Sequence, residues 1–172
     1  FFLGILSDLF FIISALKKFL IQFVIIFFFV YFLDLSIAKT SIFFLDYFLK
    51  YKVFSLFFTC FCLLILINGT NFIDGINTLA CGYYILILLT VFYIGENNKL
   101  FYNFNNYYYL FLSLVVIFAF NAFSKIYLGD SGSYLLSFLI GYYLINLFNN
   151  NLELNQPVSS VFIILLLWYP AF

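Results

Sequence analysis

Apolar residues gather into successive runs, Phe19 to Leu35, Val53 to Ile67, Leu79 to Ile94, Tyr107 to Phe120, Tyr134 to Phe148 and Val158 to Phe172, parted by short polar connections. Such runs, about 15 residues each, leave few folds open. At 1.5 Å per residue they reach roughly 22 Å, short of a hydrocarbon layer of about 30 Å, so flanking Tyr, Asn and Lys must share the crossing. A soluble helical core is excluded because 67% of the residues are hydrophobic and only 8% charged, too little polar sequence to coat one. The expected fold is all-α, a polytopic transmembrane helical bundle with about six spans, forming one domain over residues 1–172 in a lipid bilayer. Net charge is zero, so nothing argues for nucleic acid as a partner. The chain opens on Phe1 without an initiator Met and stops inside an apolar run, which reads as a fragment cut at both ends.

Between two of these runs lies Asn68-Gly-Thr-Asn-Phe-Ile-Asp-Gly-Ile-Asn77, a polar cluster that needs a reason. Gly69 and Gly75 lower helix propensity and let backbone approach a ligand, so a helix end running into a short polar segment is expected. Two expected spans separate Asp8 from Asp74, and two more separate Asp74 from Asp130. All three aspartates therefore emerge on one face and can meet. The same count sends Asp34, Asp46, Glu96 and Glu153 to the other face. A charged carboxylate at the centre of a bilayer costs about 2.5 to 3.5 kcal/mol, so such acids are usually interfacial, paired or functional.

Lys125-Ile-Tyr-Leu-Gly-Asp-Ser-Gly-Ser133 sets a carboxylate among glycines, hydroxyls and a lysine just before a span. Asp130 can ligate Mg²⁺, while Gly132, Ser133 and a helix N-terminus can offer N–H groups to oxyanions. The plainer alternative is an N-cap from Ser131 or Ser133. Gly-Asp-Ser-Gly is also a serine-protease pattern, but the chain has no histidine to serve as its base. Cys60, Cys62 and Cys81 lie in apolar runs and read as small core residues. Asn68-Gly69-Thr70 matches a glycosylation sequon, a motif common by chance.

Together these motifs resemble the polyprenyl-phosphate N-acetylhexosamine-1-phosphate transferase family, which includes the phospho-N-acetylmuramoyl-pentapeptide transferase. Asn68 to Asn77 is similar to its NxxNxxDGxD/N segment and Asn121 to Ser133 to its NxxxKxFxGDxGS segment. Phe2-Leu-Gly-Ile-Leu-Ser-Asp-Leu9, followed by Lys17, Lys18 and Gln22, resembles its LGxxDD segment, and Trp168 to Phe172 the start of the helix before its cytoplasmic loop. Two positions depart from the pattern: Ser7 replaces the first acid of the pair, and Thr78 replaces a glycine.

The resemblance implies transfer of a HexNAc-1-phosphate from a UDP-sugar to undecaprenyl (polyprenyl) phosphate, releasing UMP, at the cytoplasmic face of a bacterial inner membrane with Mg²⁺ required. It implies Asp130 as principal metal ligand, Asp74 as a second carboxylate on the metal, and Asp8 as the group that orients or deprotonates the lipid phosphate. Asn71, Asn77 and Asn121 would line the nucleotide pocket, and Tyr127 stands where the family has an aromatic that stacks on uracil, with an interface-belt tyrosine as the alternative. Lys125 can neutralise a phosphate or anchor the helix end. A homo-oligomer is compatible with such a chain. Two alternatives stand beside this reading. One is an ion-coupled transporter subunit with Asp74 and Asp130 beside broken helices, which mid-bilayer acids would favour. The other is a non-catalytic relative of the family, which Ser7 keeps open.

Overall fold

The computed structural model describes residues 1–9, 14–40, 42–75, 78–98 and 104–152. Among them are seven helices and no strand: α1 (Phe2–Asp8), α2 (Ala15–Phe32), α3 (Phe43–Leu49), α4 (Lys52–Ile73), α5 (Leu79–Asn98), α6 (Phe104–Ala122) and α7 (Gly129–Leu152). The all-helical expectation holds, but the number of spans does not. Three helices, α2, α4 and α7, are long and apolar enough to cross a membrane. The apolar stretches Leu79–Tyr93 of α5 and Asn106–Ala122 of α6 are shorter, between 10 and 17 residues. At 1.5 Å per residue such stretches fall below the thickness of a hydrocarbon layer. The sixth expected run, residues 158–172, lies outside the described residues.

α4 is the centre of the packing, with α7, α2, α3 and α5 around it, while α1 lies against α7 and α5 against α6. Its buried side includes Thr59, Cys60, Leu63 and Leu66, packed with Val30 of α2, Tyr84 of α5 and Ile140 and Ile145 of α7. All three cysteines are buried, as small core residues should be. The outward side chains are also apolar: Phe28 and Phe29 on α2, Phe57 and Phe61 on α4 and Val116 on α6 are exposed. Lipid rather than water suits that surface, since no polar face remains to solvate it.

Polar side chains inside this core are spent on backbone. At the end remote from the three aspartates, the extended connection 35–40 crosses the bundle. There Ile37 N donates to Thr59 Oγ1 at 2.9 Å, Ser55 Oγ donates to Ile37 O at 2.7 Å and Asn149 Nδ2 donates to Ser36 O at 2.9 Å. Buried backbone groups without such partners would each cost a desolvation penalty. Asp34 lies at this end, paired with Lys52 at 3.2 Å across the α2–α4 connection. The pair is exposed and adds little stability.

α4 continues through the polar cluster further than expected, to Ile73, with Gly69 buried inside it. The reason is local: Asn68 Nδ2 donates back to Leu64 O at 2.9 Å and Thr70 Oγ1 to Leu66 O at 2.7 Å, so both side chains find partners without leaving the helix. Thr70 is 0% exposed and Asn68 Nδ2 is hydrogen-bonded to Leu64 O and Gln22 Oε1, so both polar side chains of the sequon are engaged within the folded bundle. Likewise Asp130 to Ser133, expected in a loop, form the first turn of α7, and the connection between α6 and α7 is only 123–128.

Candidate functional site at the first turn of α7

Ends of helices from distant parts of the chain meet around Gly129 to Ser133. Gly129 enters α7 at φ +61°, the left-handed region glycine tolerates best, and leaves the following amides pointing outward. A helix start has N–H groups with no partner inside the helix. Here two aspartates supply them. Asp130 N donates to Asp8 Oδ1 at 3.0 Å and Ser131 N to Asp8 Oδ2 at 3.1 Å, while Gly129 N–H hydrogen-bonds Asp74. The cap thus comes from Asp8, not from Ser131 or Ser133, and Gly132 N–H is bonded to Leu128 O at 3.0 Å. Of the amides expected to offer N–H groups to an oxyanion, those at the helix N-terminus meet carboxylates of the chain itself, and that of Gly132 meets a carbonyl. Negative charge at that terminus is favoured by the helix dipole.

The Asp130 side chain turns the other way. Its Oδ2 accepts from Ser7 Oγ at 2.5 Å and pairs with Lys18 Nζ from α2. Asn71 hydrogen-bonds the same carboxylate, and its Oδ1 accepts from Ser133 Oγ at 2.8 Å. Asp8, Asp74, Asp130 and Asn71 are therefore brought together, from α1, the end of α4 and the start of α7. Asp74 closes α4 and Asp130 opens α7.

Other expected residues are placed differently. Asn121 is 3% exposed, and both ends of its carboxamide are engaged, Oδ1 with Thr78 N at 2.5 Å and Nδ2 with Ile126 O at 2.9 Å. It ties the α6–α7 connection to the start of α5. Thr78, where the resemblance has glycine, sits at φ +69°, strained for a β-branched residue. Lys125 and Tyr127 lie exposed on the connection beside the site. Asn77 falls outside the described residues.

Lys18 and Gln22 carry more of the site than their sequence setting suggested. They are four residues apart, hence on one face of α2. That spacing of two polar groups in an apolar helix was the available signal. Gln22 Oε1 accepts from Asn68 Nδ2 at 3.1 Å, linking α2 to α4 one turn deeper than Asp130.

Burial, together with the nearby charge of Asp130, pushes the Asp74 carboxyl up to about 6, against the opposing pull of the Gly129 N–H. A carboxyl raised in the folded state binds its proton there before the unfolded chain does. Stability therefore rises as pH falls through about 6 and stops rising below the ordinary carboxylate value. We expect the melting temperature of the detergent-solubilised, metal-free protein to climb between about pH 7 and about pH 5, and Asp74→Asn to flatten that climb. An equal climb in both proteins would remove Asp74 as its source.

A helical membrane protein with carboxylates, a lysine and amide and hydroxyl groups collected at one end of its bundle is the class defined by this fold and site. A family model described as glycosyl transferase family 4 matches residues 1–148, which include every contact just described at the first turn of α7. The chain belongs to that family, whose members are glycosyl phosphotransferases using polyprenyl phosphate and nucleotide sugars. No curated protein and no solved structure matches it.

Proposed function

We propose that this chain transfers a HexNAc-1-phosphate from a UDP-sugar to undecaprenyl phosphate, releasing UMP, at the cytoplasmic face of a bacterial plasma membrane and at the start of cell-envelope polysaccharide synthesis. The observation that carries this reading is the meeting of Asp74 and Asp130 with Lys18 at one end of the bundle, in a chain of this family. A lipid-phosphate oxygen attacks the β-phosphorus of the donor. A new phosphoanhydride bond forms, the bond to the α-phosphate oxygen breaks, and UMP leaves with that electron pair. One anhydride replaces another, so the protein mainly positions reactants and offsets charge.

Asp74 and Asp130 fit Mg²⁺. They are hard oxygen donors close enough for the charge of Asp130 to disfavour ionisation of Asp74, a conflict that a divalent cation relieves. Among the described residues no group of three or more His, Cys, Asp or Glu is arranged for a metal, so the chain would supply two carboxylates. Water and substrate oxygens commonly complete the shell of Mg²⁺. When bound, the cation would neutralise the diphosphate. Lys18 adds positive charge beside the same carboxylate, and Asp8 fixes the helix end that carries Asp130. Ser7, in place of an acid, holds Asp130 through a hydroxyl.

The test is UMP release from UDP-N-acetylglucosamine and other UDP-HexNAc donors by the membrane-embedded protein, with undecaprenyl phosphate and Mg²⁺ added or withheld. Release that needs both additions is expected. Release from a Ser7→Asp variant alone would make the natural chain a non-catalytic relative, and release from neither, with both folded, would end the transferase reading.

A further inference from the structure

A divalent cation that takes the Asp130 Oδ2 meets a cation already there. Lys18 Nζ, partly buried, pairs with the same Oδ2 that Ser7 holds. A divalent ion at that oxygen would stand within a few ångströms of the ammonium, and like charges in a partly buried site repel strongly. Lys18 needs another acceptor within its own reach.

One is present. Tyr134, one turn along α7 from Asp130, carries its ring 5.2 Å from Lys18 Nζ. Tyr134 is 6% exposed and Gln22 4%; neither the Oη of one nor the Nε2 of the other makes a hydrogen bond of ordinary length among the described residues, but the Tyr134 hydroxyl already lies near enough to Lys18 and Gln22 to interact with both. Buried polar atoms are rarely left unpaired, and each such atom calls for an explanation. The Gln22 Oε1 is already used by Asn68, whereas the Tyr134 hydroxyl has lone pairs to accept a charged N–H and a ring face that attracts a cation.

We propose that Lys18 is a displaceable counter-ion: it neutralises Asp130 while the metal is absent and passes to the hydroxyl and ring of Tyr134 when a divalent cation takes the carboxylate. This rests on the metal reading given under the proposed function. The chain would then keep its carboxylate paired in either state, and the Tyr134 hydroxyl and ring, already beside Lys18, are the second position of a two-position device. Lys18 opposes the metal by occupying its ligand, and Tyr134 assists the metal by receiving Lys18.

The two residues should therefore shift cation affinity in opposite directions. The experiment titrates Mg²⁺ alone into the full chain in nanodiscs and follows the rise in melting temperature, with no substrate present. For Lys18→Gln the half-saturating Mg²⁺ concentration should fall roughly 10-fold or more, since a competing charge is gone. For Tyr134→Phe, which removes the hydroxyl beside Lys18 and keeps the ring, it should rise several-fold, on the order of 3- to 10-fold, as one charge-assisted hydrogen bond is lost. Unchanged affinity in Tyr134→Phe, or weaker binding in Lys18→Gln, overturns the exchange while leaving the metal reading in place. No response of the natural chain to Mg²⁺ at any concentration overturns both.

Discussion

Replacing Gly4 with alanine is expected to lower the transfer rate by about 100-fold or more and to destabilise the protein by a few kcal/mol, roughly the upper end of overpacking effects. A Cβ at Gly4 would lie 2.3 Å from Ser131 Cα, 2.5 Å from Ser131 N and 2.7 Å from the Asp130 carbonyl carbon. All three are backbone atoms of the first turn of α7, so no side chain can swing aside, and α1 must back away. That movement carries Asp8 off two amides and Ser7 off Asp130. A misplacement of about 1 Å in a positioning group can cost 100-fold in rate. Gly82→Ala is the matched control, because its Cβ would meet only the Phe118 ring edge at an ordinary 3.4 Å. UMP release and thermal unfolding of the two variants decide it. A Gly4→Ala protein with natural rate and melting temperature would show that α1 does not position the site.

Asp130→Asn should remove nearly all activity, on the order of 10² to 10³-fold, with the fold retained. The backbone N–H of residue 130 still reaches Asp8, so the cap survives. What is lost is the charge on which Ser7, Lys18 and Asn71 converge. An amide is a poor ligand for a hard divalent ion, and Lys18 is left without its partner ion. Circular dichroism should match the natural chain while UMP release disappears. A variant releasing UMP within about tenfold of the natural rate would exclude Asp130 as the principal ligand.

The meeting of Asp8, Asp74 and Asp130 was expected from a count of crossings, two between each successive pair; α2 and α4 are long enough to supply the first two, whereas the apolar stretches of α5 and α6 are shorter, so the count alone did not establish it. What such a count cannot carry is the identity of partners. Nothing in the spacing of Lys18 says that it faces Asp130 rather than Asp8, since that depends on how α2 is rotated beside α7. Asp8 read as a reactive group because of its place in a motif, whereas its carboxylate is engaged by two amides of α7. The polar residues of α4 looked like a break because Asn and Gly are poor helix formers. Their side chains instead bond back to the helix, or to Gln22, and the helix continues. Span number was the weakest reading, since runs of about 15 apolar residues stand near the lower limit for crossing. Thr78 could be noticed as an exception to a motif, but its strained backbone could not.

The opening amides of α7 are divided between residues 8 and 74 of the chain. Each of those carboxylates can serve the helix end or an incoming ligand with a given lone pair, not both with the same one. Occupancy of the site and order of the first turn of α7 are thus thermodynamically linked: what recruits Asp74 loosens its hold on the amide of Gly129. The same arrangement makes the site a product of tertiary assembly. No segment of the chain contains it alone, and it comes into being only when α1 and the end of α4 have both docked on α7.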